Sequence, residues 1–394
     1  MSRPGVHQPV SAGIIAAVVG YTSSFAVVLT GLAAVGATPR QAASGLVAIC
    51  ATQAVGIIWL SRRFRIPIVL AWSTPGAALL ASTGTVNGGW SAAVGAFLLV
   101  GVAYIVTGLW PALGRLIARI PAPIARAMLA GVVLELCLAP VRAVVDNPWA
   151  ILPIVLTWLV GVRVAPRWAV PLAFLVAAAV IGIDMIRHGN GIATSLLLPH
   201  VSLTSPTVTW AAVVGIALPL YIVTMASQNV PGVAIMKSLG YEVPWRASIV
   251  TAGTATVVGA TAGGHSVNLS AIAAALSAGP PAGPDLSRRW IASQAGGITY
   301  VFLAIGSAAL AALVAVAPAG VIATVAGLAL LGTLADALEG SVSQRRGREA
   351  AVVTFLVAAS GITAFGIGSA FWALVAGLVV HAVLDWQPPR RKEA

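Results

Sequence analysis

The chain has 394 residues, 59% of them hydrophobic with 41 glycines besides, and only 8% charged. A soluble fold of this length would need charge nearer the usual quarter of its residues to cover its surface, so a soluble protein is excluded and a lipid-embedded one is expected. The net charge of +12, from 22 Lys+Arg against 10 Asp+Glu, would point to nucleic acid in a soluble protein, so the placement of the basic residues decides its meaning.

The N-terminus, MSRPGVHQPV, is too short and too weakly basic for a signal sequence, so the first apolar stretch is expected to be kept as a membrane helix. Stretches of bilayer-crossing length, about 20 residues, occupy 10–36, 40–61, 90–113, 121–141, 147–164, 167–187, 208–230, 244–260, 288–316, 318–338, 348–367 and 369–386. Two more, 66–84 and 261–278, are apolar but broken in the middle. If both broken stretches cross, with the N-terminus inside, 19 of the 22 basic residues fall on the cytoplasmic side. These are Arg3, Arg62, Arg63, Arg65, Arg115, Arg119, Arg126, Arg163, Arg167, Lys237, Arg246, Arg288, Arg289, Arg345, Arg346, Arg348, Arg390, Arg391 and Lys392, and only Arg40, Arg142 and Arg187 stay outside. If neither crosses, the division is 14 to 8. Because Lys and Arg gather in cytoplasmic loops, fourteen spans with both termini cytoplasmic are expected, and the basic excess needs no nucleic acid.

Fourteen spans divide into two inverted sets of seven. PRQAAS (39–44) is similar to PWRAS (244–248), and the same offset carries Ser23 and Ser24 onto Gln228 and Asn229. PAPIARAMLAG (121–131) is similar to PAGVIATVAG (318–327), and the broken stretches fall at equivalent places, spans three and ten. The expected organisation is an all-α polytopic membrane protein, with a first repeat over 1–187, an extracytoplasmic linker over 188–207 and a second repeat over 208–394. In the first broken stretch, IPIVLAW (66–72) reads as a short strand, followed by Ser73 or Thr74 as the cap of a helix with Pro75 at its first position. In the second, TAGGHSVNLSAIAAAL (261–276) turns helical only after its glycines and polar residues, with Ser266 or Asn268 as the expected cap. Irregular backbone at membrane depth survives only where it is buried in protein or lines a cavity. Two half-helices aiming their N-termini at one central site are therefore expected.

GYTSSFAVVL (20–29), AWSTPGAALL (71–80), TMASQNVPGV (224–233) and GGHSVNLSAIAAAL (263–276) resemble the benzoate/proton symporter family of bacterial inner membranes, over roughly residues 8–388. More distantly the chain resembles the nucleobase permeases. The resemblance implies a core domain of spans 1–4 and 8–11, a gate domain of spans 5–7 and 12–14, and substrate held between half-helices three and ten. It also implies import of benzoate or a similar aromatic carboxylate with a proton as coupling ion and no other cofactor, and it allows a homodimer, on which the sequence is silent. Where nucleobase permeases carry acids on spans eight and ten, this chain has Gln228 and His265. A missing carboxylate suits an anionic substrate.

His265 is the expected proton-coupling group, since an imidazole changes charge near neutral pH; the alternative is a neutral histidine bonded to backbone. Gln228 and Asn229, with Tyr21, Ser23 and Ser24 from span one, either bind the substrate or hold helices together. Ser266, Asn268, Ser73 and Thr74 either cap the half-helices or meet the substrate. Glu135, near the middle of span five, is either a second proton or gating group or a carboxyl paired with another span. Asp336 and Glu339 read as a solvated face beside Arg345 and Arg346, and Asp184 and Asp285 as loop-end charges. With no Arg or Lys at midplane, the half-helix N-termini are left to neutralise an anion, with Tyr21, Phe25 and Trp72 as candidate walls for an aromatic ring. Cys50 and Cys137 lie in apolar runs and form no disulfide framework. Neither metal-ligand spacing, nor a phosphate loop, nor a GxSxG elbow occurs, which argues against an enzyme. A nucleobase-type carrier, another organic or inorganic anion transporter, or a channel on the same fold remain as alternatives.

Overall fold

The computed structural model describes residues 7–384 apart from 111, 115–119, 190, 193–196 and 346. Of the basic residues counted above, Arg3, Arg115, Arg119, Arg346, Arg390, Arg391 and Lys392 lie outside the described residues. The first seven elements after the N-terminus are α1 (His7–Ala34), α2 (Pro39–Phe64), β1 (Leu70–Trp72), α3 (Thr74–Thr83), α4 (Gly89–Leu109), α5 (Ala122–Asp146) and α6 (Pro148–Val164). They are followed by α7 (Ala169–His188), α8 (Trp210–Ser238), α9 (Trp245–Ala260), β2 (Val267–Leu269) and α10 (Ala271–Ala278). The chain ends with α11 (Trp290–Ala315), α12 (Val321–Val342), α13 (Arg348–Ala359) and α14 (Ser369–Leu384).

Among the described residues eight helices are long and apolar enough to cross a membrane: α1, α2, α4, α5, α7, α8, α11 and α12. Helices α6 and α14 are apolar but shorter. Large apolar side chains stand on the outside, among them Trp149 at 90% and Phe302 at 68% exposure, as expected of a surface facing lipid. The chain is a multi-pass membrane protein.

Local chemistry explains where the helices begin and stop. Thr38 and Gln41 form a reciprocal capping box at the start of α2, with Pro39 at its first position. The helix ends where Arg65 turns left-handed and Pro67 follows. The β-branched Ile68 and Val69 then lead into β1. Ser73 caps α3 by accepting from the Gly76 amide at 3.0 Å, so Thr74 and not Pro75 is the first helical residue. In the second broken stretch the cap is Ser270, which accepts from the Ala273 amide at 3.0 Å, and not Ser266 or Asn268. The reason is strand pairing. β1 and β2 run antiparallel with Leu70 opposite Leu269, Ala71 opposite Asn268 and Trp72 opposite Val267. The chain is therefore held extended through Leu269, and Ser270 is the first position free to cap. Two backbone bonds close the ends of this ribbon, Ser73 N to Ser266 O and Ser270 N to Val69 O, each at 3.0 Å.

Helix α8 is continuous over 29 residues but widens into π turns at Val213–Ala217 and Met225–Asn229. Pro219 and Pro231 lack the N–H that would bond the carbonyls of Gly215 and Ser227, which loosens the helix at both places. The described part of the 188–207 linker lies across the ends of α2, α4 and α9. Ser202 N donates to Ser44 Oγ at 2.8 Å, Thr204 N to the Thr261 carbonyl at 2.8 Å and Thr207 N to the Ser91 carbonyl at 3.0 Å.

Two sets of helices pack mainly within themselves: α1, α2, α4, α9 and α11 around the ribbon, and α5, α6, α7, α12, α13 and α14 beside them. They meet where α1 lies against α12 and α3 against α5. Close approach requires missing side chains. A Cβ on Gly31 of α1 would lie 2.3 Å from the Ala77 carbonyl of α3, and one on Gly45 of α2 would lie 2.5 Å from the Gly263 carbonyl. Either contact is far inside ordinary van der Waals separation.

Candidate functional site

The ribbon places the two half-helix starts back to back in the middle of the first helix set. Around it lies a layer of polar side chains, most of them satisfied by one another. Ser73 Oγ and Thr224 Oγ1 of α8 are 2.7 Å apart. Ser266 Oγ is 3.0 Å from the Tyr104 hydroxyl of α4. The Thr256 hydroxyl of α9 accepts from Val267 N at 2.9 Å. Thr107 donates to the Ala103 carbonyl, so at their 2.5 Å contact the Tyr221 hydroxyl donates to it.

His265 is fully buried. Its Nε2 lies 3.0 Å from the Ser73 carbonyl. A carbonyl only accepts, so Nε2 carries the hydrogen and Nδ1 is left with the lone pair. Among the described residues Nδ1 has no hydrogen-bond partner, and the ring edge meets Phe97 of α4 with centroids 6.4 Å apart. The imidazole therefore locks the N-cap residue of α3 while keeping one basic nitrogen free.

Asn229 is also fully buried, and both ends of its amide are engaged. Its Oδ1 accepts from Leu269 N in β2 at 2.9 Å, and its Nδ2 is 3.3 Å from Met225 Sδ. Asn268 donates to the Leu269 carbonyl at 2.8 Å, leaving its buried Oδ1 without a partner among the described residues. Gln228, next to Asn229, behaves differently. It is half-buried and makes no side-chain hydrogen bond among the described residues. The same is true of Ser23 on α1 and of Thr74 at the first position of α3. Contacts of their neighbours place the segments that carry these three side by side. Ser24, beside Ser23, accepts from Trp72 Nε1 at 2.8 Å, Ser73 joins Thr224, and Thr224 is one turn before Gln228 on α8.

Tyr21 is placed deeper. Ser307 of α11 donates to the Leu303 carbonyl, so the Tyr21 hydroxyl donates to Ser307 at 3.0 Å. The Tyr21 ring stacks on Phe25 at 5.5 Å and meets Trp72 edge-on at 5.5 Å. Phe25 in turn touches Phe174 of α7 across the boundary between the two helix sets, at 4.7 Å. Tyr21, Phe25 and Trp72 are thus a packed aromatic wall beside the half-exposed polar groups and do not face lipid.

Glu135 is not brought to this place. It stands on the exposed face of α5 and forms an ion pair with Arg142 of the same helix. The expectation that it pairs with another span is corrected. The step of seven positions from Glu135 to Arg142 makes about two helical turns, so both side chains emerge on one face. Arg289 is the only buried charged side chain among the described residues. It follows β2 by 20 residues and holds the far end of α10, donating through Nε to the Gly283 carbonyl at 2.7 Å and through Nη1 to the Ala278 carbonyl at 2.6 Å. Sequence reasoning missed Tyr104, Tyr221, Thr224, Thr256 and Ser307. Each is a polar residue inside an apolar span, which was the available signal.

The family description benzoate membrane transport protein matches residues 6–383, nearly the whole chain. The chain belongs to this family. Members of the benzoate membrane transport family are transporters, and the protein is a transporter and not an enzyme. It is 39% identical over 378 residues to the inner membrane protein YdcO of Escherichia coli K12, covering 95% of each chain. It is 29% identical over 373 residues to the benzoate membrane transport protein of Acinetobacter baylyi, covering 95% of this chain and 94% of that one. Among solved structures, the transmembrane domain of the cyanobacterial bicarbonate transporter BicA superposes with a TM-score of 0.62 at 14% identity, over 94% of this chain and 98% of that one. The structure of SLC26A9 superposes with a TM-score of 0.63 at 13% identity, over 96% of this chain and 66% of that one. At such identities the likeness is one of fold.

Proposed function

We propose that the protein imports benzoate or a similar aromatic carboxylate together with a proton, across the bacterial cytoplasmic membrane, by alternating access. The observation that carries this reading is that Ser23, Thr74 and Gln228, half-buried and without a side-chain hydrogen bond among the described residues, stand on segments joined by the Trp72–Ser24 and Ser73–Thr224 bonds where α3 begins. At that point the helix offers its N-terminal dipole and the Thr74 amide and hydroxyl to an anion. No acidic side chain is buried among the described residues, so nothing there repels a carboxylate. The Tyr21, Phe25 and Trp72 cluster supplies the apolar side a ring requires. The family relatives, one of them named for benzoate, support the substrate class.

His265 is the proposed proton acceptor. Its Nε2 is committed to Ser73, and Nδ1 is free. The imidazole is enclosed in this conformation, so the proton reaches it in a more open step of the cycle.

We read α3 and α10 with their strands as broken crossings, giving fourteen crossings in two inverted sets of seven with cytoplasmic termini. The pairing of the ribbon supports this reading. Ser73 and Ser270 are equivalent caps, and the bonds Ser73 N to Ser266 O and Ser270 N to Val69 O exchange under one offset of 197 residues, which also carries Pro121 onto Pro318. The ribbon set, α1–α4 with α8–α11, acts as the moving core, and α5–α7 with α12–α14 as the gate. Uptake of labelled benzoate into proteoliposomes tests the function. Accumulation driven by an inward proton gradient is expected. Downhill equilibration alone would exclude proton coupling and leave a channel or an uncoupled carrier, and preference for bicarbonate or uracil over benzoate would assign it another substrate.

A further inference from the structure

Away from the candidate site, an apolar groove of about 500 Å³ runs along the outside between α2 and α9. Its sides include Ala51, Val55 and Trp59 from α2 and Val250, Thr254 and Val258 from α9. Val55 is 67% exposed, Val258 62% and Trp59 48%, so the groove opens outward at membrane depth. Gly56 is part of its lining, and a Cβ there would lie 2.5 Å from Leu70 Cδ1 and 3.2 Å from Thr251 Cγ2, so the absent side chain lets α9 lie close against α2.

The two helices are antiparallel. Gly56 lies against Thr251 while Gly259 lies against Thr52, so the start of α9 is level with the end of α2. This juxtaposition puts Arg62 and Arg63, in the last turn of α2, at the same end as Arg246, in the first turn of α9. All three are exposed, and Glu242 is an exposed acid at that end, leaving the mouth net positive. Arg65 is occupied elsewhere, its guanidinium 4.4 Å above the Trp290 ring. Trp59 is three residues before Arg62, about 5 Å along the helix, which is the spacing between the acyl region and the phosphate level of a lipid leaflet.

We propose that this groove is a binding site for an anionic phospholipid, with an acyl chain between α2 and α9 and the phosphate on Arg62, Arg63 and Arg246. Basic clusters capping inter-helix grooves at a membrane surface select acidic headgroups, at about fivefold in affinity per basic side chain. The site is independent of the transported substrate.

Native mass spectrometry of the full chain in detergent, titrated with phosphatidylglycerol or phosphatidylcholine, tests it. Wild type is expected to retain one phosphatidylglycerol in clear preference to phosphatidylcholine. R62Q/R63Q/R246Q should lose on the order of 100-fold in phosphatidylglycerol affinity and bind the two lipids alike. Ala51→Trp with Thr254→Trp fills the groove and should abolish retention of both lipids. Thr254→Trp alone serves if the double variant does not fold. Equal retention of the two lipids by wild type, or undiminished preference in the arginine variant, would overturn the proposal.

Discussion

Gln228 and Asn229 are adjacent amides on one helix, and the structure assigns them opposite consequences on truncation. Asn229→Ala removes the acceptor for Leu269 N, a fully buried contact of 2.9 Å that ties α8 to β2. Leaving a buried N–H unpaired costs about 1–3 kcal/mol. Taking about 2 °C per kcal/mol, as for large domains, the apparent melting temperature should fall by roughly 2–6 °C. Gln228→Ala removes no hydrogen bond within the protein and leaves a half-exposed site, so its stability should change by no more than about 0.5 kcal/mol. If Gln228 donates to the substrate carboxylate, however, its loss removes a hydrogen bond to a charged group, about 1.5–3 kcal/mol or roughly 10- to 100-fold in affinity. Both variants are measured in detergent by tryptophan-fluorescence melting, without benzoate and over a benzoate titration. An Asn229→Ala protein that melts like wild type but no longer binds, or a Gln228→Ala protein that melts several degrees lower with unchanged affinity, would refute the assignment.

Three further outcomes follow from the same contacts. His265→Gln should abolish accumulation driven by a proton gradient in proteoliposomes while benzoate exchange persists; wild-type gradient dependence would remove His265 from coupling. Glu135→Gln, on the exposed face of α5, should leave the pH profile of uptake unchanged, and a shifted profile would return Glu135 to the proton path. Gly31→Ala forces a methyl into the Ala77 carbonyl and should cost about 1–3 kcal/mol through separation of α1 from α3, seen as a lowered melting temperature together with reduced uptake.

Much of this architecture was legible in the sequence because lipid leaves few options. Charge marks the ends of apolar runs, and Pro, Gly and polar residues inside a run mark broken backbone. Both strand-plus-half-helix segments were found this way. The exact starts of the half-helices were less legible. Ser266, Asn268 and Ser270 are equally good caps by residue type, and only the pairing of β2 with β1, a contact between stretches almost two hundred positions apart, selects Ser270. The same limit governs the site. Sequence puts Ser23, Gln228, Asn229 and His265 in stretches that the fold brings to the ribbon, but facing is a matter of tertiary geometry: within one π turn of α8, Asn229 is buried and engaged while its neighbour Gln228 is not. For Glu135 depth was readable along the helix, but which side of α5 it occupies was not. Tyr104 and Ser307 needed the fold as well, since each is defined by a partner from another helix.

The antiparallel ribbon has a mechanical consequence. Its strands are stitched to each other from Val69 to Ser73 on one side and from Ser266 to Ser270 on the other, so neither half-helix can shift without dragging its counterpart. In the proposed cycle, a passenger resting against them travels with a constant set of donors, like cargo strapped to one pallet, and only the wall it slides past changes. Discrimination among passengers is then made once, on loading, and a substitution in the ribbon should alter loading and unloading on both faces of the membrane alike.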